Sequence, residues 1–205
     1  MTLLNKQDQE QVAAAISAVE RETDAEMVTV LTAQADNYAY IPLLWAGLIA
    51  LLVPGIINYF TGWLAADMLL LGQWGVFILL SLVFRIPGIN TRLIPRSVRY
   101  WRASNLARRQ FLEQNLHHTA GATGMLIFVS EAERYVEILV DRGISSQIDN
   151  DVWEAIIAAF TEQVKRGETL QGFITCIEAC GTHLKTHVPA TRQKDELPNH
   201  LVILS

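Results

Sequence analysis

Residues 124–149 read GMLIFVSEAERYVEILVDRGISSQID, and this stretch decides the fold. Gly124 to Ser130 is an apolar run, and Arg134 to Val140 is a second run rich in β-formers. Only Glu131-Ala132-Glu133 separates them, which is the spacing of a β-hairpin. The first run is apolar on both of its faces. That pattern predicts a central strand covered by helices on each side.

Working outward from the hairpin, Asp149 to Lys165 and Leu170 to Thr186 carry helical periodicity, and Gly167 breaks the chain between them. The run Leu201 to Leu204 adds an edge strand or docks as a tail. Upstream, Arg96 to Leu116 reads as a helix. At the start of the chain, Asn5 with Asp8 three residues later has the form of a helix cap, and Val12, Ile16 and Val19 continue an amphipathic helix. Glu26 to Thr32 (EMVTVLT) is a β-branched strand. The predicted order is helix, strand, insert, helix, strand, strand, helix, helix. The fold class is α/β, a small mixed sheet sandwiched by helices.

The insert has a different chemistry. No charged side chain occurs from Asn37 to Ala66, and Met68 to Phe84 is again uncharged. A spanning helix needs about 20 predominantly apolar residues. The expectation is therefore a two-helix transmembrane hairpin with spans at about 41–60 and 68–85. Tyr38, Tyr40, Tyr59, Phe60 and Trp63 mark its interfaces, and Pro54 kinks the first helix. Gly47, Gly55, Gly72 and Gly75 are expected to let the two helices approach closely, and Gln73 reads as a packing hydrogen bond. The chain divides into 1–37 (first soluble piece), 38–86 (hairpin), 87–120 (basic juxtamembrane helix), 121–188 (second soluble piece) and 189–205 (tail).

Charge gives the orientation. Arg85, Arg92, Arg96, Arg99 and Arg102 follow the second span with no intervening acid, and the positive-inside rule places that flank in the cytoplasm. A hairpin returns to its starting side, so both termini are expected there and the turn near Asp67 opposite. These arginines, with Trp101, either lie against anionic headgroups or act only as topology signals. The net charge of −5 excludes nucleic-acid binding driven by bulk electrostatics. Two cysteines supply no disulfide framework. The first long apolar stretch begins near Ile41, after a polar N-terminal segment, so it is not read as a cleavable leader.

The run from Gly124 to Asp149, followed by an amphipathic helix, the Gly167-Glu168 break and a second helix, resembles the TPM domain family. These are small α/β/α modules of bacterial envelope, thylakoid and receptor-accessory proteins. The helix and strand before the insert match the beginning of the same module, so the resemblance implies a TPM-like domain interrupted by the hairpin. Many members carry Gly-x-Gly after the third strand. Here Asp141-Arg142-Gly143 stands in that place, with one of the two glycines replaced. The resemblance also implies divalent-metal binding and a weak acid phosphatase activity.

Three groups of residues are candidates for chemistry. Asp141, Asp149 and Asp151 follow the β-hairpin, and carboxylates of this kind can hold Ca²⁺ or Mg²⁺ or simply favour a helix N-terminus. Arg142 orients a phosphate group or pairs with a carboxylate. No Gly-rich phosphate loop or Cys-x5-Arg accompanies them. Cys176, Cys180, His183 and His187 share one helical stripe but span about 16 Å, too far for one ion. Pairs of them would need outside ligands such as His117 or His118, and the cysteines fit better as the edge of an apolar face. Glu131, Glu133 and Glu137 read as a solvated strand edge. The resulting expectation is a bacterial inner-membrane protein in contact with the bilayer, whose cytoplasmic TPM-like domain binds or assists another membrane-associated protein. The alternative is a metal-assisted phosphatase using the acidic loop.

Overall fold

The computed structural model describes residues 4–62, 65–86, 94–191, 197 and 201–204. It forms two compact units: Met1–Ala35 with Tyr100–Ser205, and Asp36–Arg99.

In the first unit, α1 (Lys6–Glu20) begins with the expected capping box, Asn5 and Asp8 each bonding the other's backbone N–H. The strands are β1 (Glu26–Thr32), β2 (Gly124–Ser130), β3 (Tyr135–Val140) and β4 (Leu201–Leu204), in spatial order β3-β2-β1-β4. β1 runs parallel to both β2 and β4, while β2 and β3 form the predicted antiparallel hairpin. Every residue of β1 and of β2 is buried. Alternation along the strands sends successive side chains to opposite faces. Met27, Leu31, Met125, Ile127 and Val129 pack with α1, α6 (Asn150–Lys165) and α7 (Thr169–His187). Val28, Val30, Leu126 and Phe128 pack with Ala103 and Ala107 of α4 (Arg96–Glu113) and with Leu116. The helix-sheet-helix sandwich is thus in place, and β4 is an edge strand rather than a loosely docked tail. Its approach is fastened by Asp24, which accepts from the Thr191 N–H at 3.0 Å, and by Glu26, which accepts from the Leu197 N–H at 3.2 Å.

Two boundaries differ from expectation for local reasons. The helix expected to reach Leu116 ends at Glu113. Asn115 turns left-handed (φ 57°), and a 3₁₀ turn at Leu116–His118 drops Leu116 fully into the core. β3 starts at Tyr135 because Arg134 closes the hairpin at φ 51°. A short helix, α5 (Arg142–Ser145), was not anticipated.

Thr29 is fully buried in β1 on the α1/α6/α7 side, and its hydroxyl has no hydrogen-bond partner. An unpaired buried hydroxyl is destabilising. Thr29→Val, which keeps the shape, should stabilise this unit by about 1 kcal/mol. The chain's two cysteines are both buried in this unit, so thiol-labelling rates against urea would read its opening free energy. A gain of zero or a loss would show that the hydroxyl is satisfied.

The second unit is a helical hairpin of α2 (Tyr40–Thr61) and α3 (Ala66–Val83). Gly62 ends α2 in the left-handed conformation that glycine adopts without strain (φ 64°). Gln73 donates from Nε2 to the Leu51 carbonyl across the pair at 3.5 Å, the packing bond expected of it. The glycines behave differently from expectation. A methyl group at Gly72 would meet Pro54 Cβ at 3.9 Å, whereas Gly47, Gly55 and Gly75 have nothing within 4 Å. Of these four, Gly72 alone would bring an added methyl group into contact with the facing helix. By length and composition α2 is able to cross a membrane, while the apolar run of α3, Asp67–Val83, is shorter. Trp63 and Arg92, named as interfacial residues, lie outside the described residues.

Candidate functional site

The acidic candidates sit at two successive helix starts. Asp141 is the N-cap of α5, where its Oδ1 accepts from the Arg142 N–H at 2.6 Å. Asp149 occupies the N-cap position of α6 without a side-chain cap bond, and Asp151 lies in the first turn of that helix. Asp149, Asp151 and Arg142 are exposed. Among the described residues no group of three or more His, Cys, Asp or Glu side chains is placed to hold a metal ion. The arrangement places negative charge at helix N-termini, where the backbone N–H groups and the helix dipole favour it.

Cys176 and Cys180 are buried at 3% and 0% exposure in the core shared by α1, α6, α7 and the sheet. Their expected place on the apolar face holds. The Cys176 neighbour and burial together push the Cys180 thiol well above its usual range, so it is an inert thiol rather than a nucleophile. His117 and His118 stack on one another at 4.0 Å in the 3₁₀ turn, and His187 is exposed at the end of α7.

The solvated-edge reading of the glutamates is corrected at two positions. Glu133 is 2% exposed. Its carboxylate accepts from the Ala35 N–H at 3.1 Å and 3.2 Å and from the Ser130 hydroxyl. Glu137 accepts from the Tyr135 hydroxyl at 2.9 Å and from Ser104 at 3.3 Å. The Tyr135 ring meets Tyr100 edge-on at 5.2 Å. Burial, together with the nearby Glu137 charge, raises the Tyr135 phenol to about 12, so it stays a neutral donor. These are structural links between α4, the β2–β3 turn and the chain leaving β1.

One surface feature was missed from the sequence. A groove of about 370 Å³ runs between α6 and α7. Buried Ile156, Phe160 and Cys176 form part of it, with Ala155, Ala159 and Ala179 among the small residues nearer solvent. His183 and Gln163 supply polar groups. The signal for it was the alternation of alanine with large apolar residues in α6 (VWEAIIAAF), where small side chains leave a channel between two packed helices. Such a surface can receive an apolar side chain or helix.

Comparison with known proteins places this architecture. The family model of the TPM domain matches residues 94–183, from just before α4 to near the end of α7. No curated protein matches the chain. Among solved structures, the BA42 protein from the psychrophilic bacterium Bizionia argentinensis is similar in fold at 18% identity, with a TM-score of 0.62 over 98% of this chain and 96% of that one. The family match omits α1 and β1, yet β1 lies between β2 and β4 in one sheet. Residues 94–183 thus match the TPM domain, and α1, β1 and β4 complete the sheet and its layers around that segment.

Proposed function

We propose that the protein is a membrane-anchored TPM-domain protein of the bacterial inner membrane, whose cytoplasmic domain binds or assists another membrane-associated protein. The observation that carries this reading is the exposure of the hairpin. Leu51, Leu52, Ile56, Tyr59 and Phe60 of α2 are between 53% and 85% exposed, as are Leu70, Leu71, Trp74, Leu79 and Leu82 of α3. In water so continuous an apolar surface is unfavourable at about 25 cal/mol per Å²; in hydrocarbon it is the expected surface of a span. Arg85, Arg92, Arg96, Arg99 and Arg102 on one flank favour two spans with both termini in the cytoplasm. The α6/α7 groove is the surface offered to a partner.

The test has two arms. Under alkaline extraction the chain should stay in the membrane pellet, and release to the supernatant would remove the anchor. A photocrosslinker at Ala155 should give a defined membrane-protein adduct that Ala159→Arg, which fills the groove from an exposed position, abolishes. Phosphate release from a phosphomonoester that needs Mg²⁺, Ca²⁺ or Mn²⁺ and vanishes in folded Asp149→Asn would replace this reading with the enzymatic one.

A further inference from the structure

We propose that the outer face of α4 is a docking surface for anionic phospholipid headgroups. The inference rests on the membrane anchoring argued above and extends it to residues well beyond the charged flank of the hairpin. α4 buries Ala103, Ala107 and Gln110 against the sheet. Trp101, Asn105, Arg108 and Leu112 follow one another at helical spacing (i, i+4, i+7, i+11) on the opposite side, and all four are exposed.

Trp101 and Leu112 are 59% and 56% exposed, so this face presents an apolar side chain toward each of its ends. Around them the charge is mostly basic. Arg102 lies over the Trp101 ring at 5.0 Å, Arg108 is exposed, and Arg109, its side chain 71% exposed, pairs at 2.8 Å with Glu113, the single acid of the helix. An exposed helix face combining an indole, a leucine and arginines, with its other face already buried, matches the interface of a bilayer: apolar side chains enter among the acyl boundary while guanidinium groups meet phosphates. Charge complementarity selects an anionic leaflet, because each basic residue near such a surface contributes about fivefold to the docked population. α6 and α7 pack on the other face of the same sheet, so docking through α4 turns the groove away from the lipid, toward a partner's soluble surface.

The experiment uses the full chain carrying Leu112→Cys with a nitroxide, the two native cysteines being buried, in nanodiscs of phosphatidylcholine alone or of equimolar phosphatidylcholine and phosphatidylglycerol. Lipid-borne nickel should relax the Leu112→Cys probe strongly in the anionic discs and weakly in the neutral ones. A probe at Ala159→Cys on α6 should be unaffected in both. Arg108→Gln with Arg109→Gln should lower the docked-to-free ratio about 25-fold, and rising ionic strength should do the same progressively. Equal relaxation in neutral and anionic discs, or no response to the arginine pair, overturns the proposal. A chain that fails to enter nanodiscs at all defeats the anchoring instead, so the two failures are told apart.

Discussion

Gly143→Ala destabilises the α/β domain by about 3 kcal/mol, near the upper end of the usual cost of overpacking, although the change adds a single methyl group. The ideal Cβ at this position falls 2.3 Å from the Gly121 carbonyl oxygen and 2.7 Å from that of Ala122. Both obstacles are backbone, and Gly143 is itself bonded to one of them, its N–H donating to the Ala122 carbonyl at 2.7 Å. The clash therefore cannot be relieved by turning a side chain. It must push apart the loop before β2 and the start of α5, where Ile144 is fully buried. Thiol labelling of the buried cysteines against urea would measure the loss. Arg142→Ala, one residue earlier and exposed, should stay within about 0.5 kcal/mol of wild type. An equally mild effect of Gly143→Ala would mean that the loop has room that the structure does not show.

This glycine also shows what the sequence could and could not convey. Asp141-Arg142-Gly143 was legible as an altered Gly-x-Gly, but not the reason one glycine stays: its neighbour across the turn is Gly121-Ala122, some twenty residues earlier. Short-range patterns survived intact. The Asn5 cap, the β-hairpin and the Gly167 break (φ 84°) each follow from a few adjacent residues, and their physics is local. The 3₁₀ turn at Leu116 was missed because the helical pattern runs on through it. What bends the chain is the burial of Leu116 and the fit of its carbonyl against Gly124, where a Cβ would lie 2.2 Å away. Such contacts have no sequence period. The same holds for the groove, since alanines at helical spacing become a channel only when a second helix is laid beside them.

The acidic loop and the glutamate turn differ on this ground. The loop was legible as a cluster in sequence, yet its carboxylates divide between two helix starts and face solvent. The turn EAE between β2 and β3 looked like ordinary surface, because nothing nearby in the sequence covers it. The burial of Glu133 in it comes from the parallel register of β1 and β2, which sets Thr32 against Ser130 and carries the chain leaving β1 over that side chain.

Glu133→Ala is accordingly expected to be the second severe substitution, costing about 3 kcal/mol, since buried donors left unpaired cost about 1–3 kcal/mol each. The carboxylate of Glu133 joins residues 98 positions apart, accepting from the Ala35 N–H while also receiving the Ser130 hydroxyl. The Ser130 hydroxyl loses its acceptor in the alanine variant, and so does the amide at the point where the chain departs for the hairpin. Glu133→Gln keeps an acceptor at the same place and should lose about 1 kcal/mol, the net worth of a typical hydrogen bond. A double-mutant cycle with Ser130→Ala separates the link from mere loss of volume. If the two side chains act as a unit, their effects fall short of additivity by about 1 kcal/mol or more. Strict additivity would leave Glu133 as an isolated cap on Ala35. A loss below about 0.5 kcal/mol in Glu133→Ala, the range of ordinary surface substitutions, would return the turn to the solvated edge first read from the sequence. In the expected outcome, a buried carboxylate holds the chain in place just after it leaves β1.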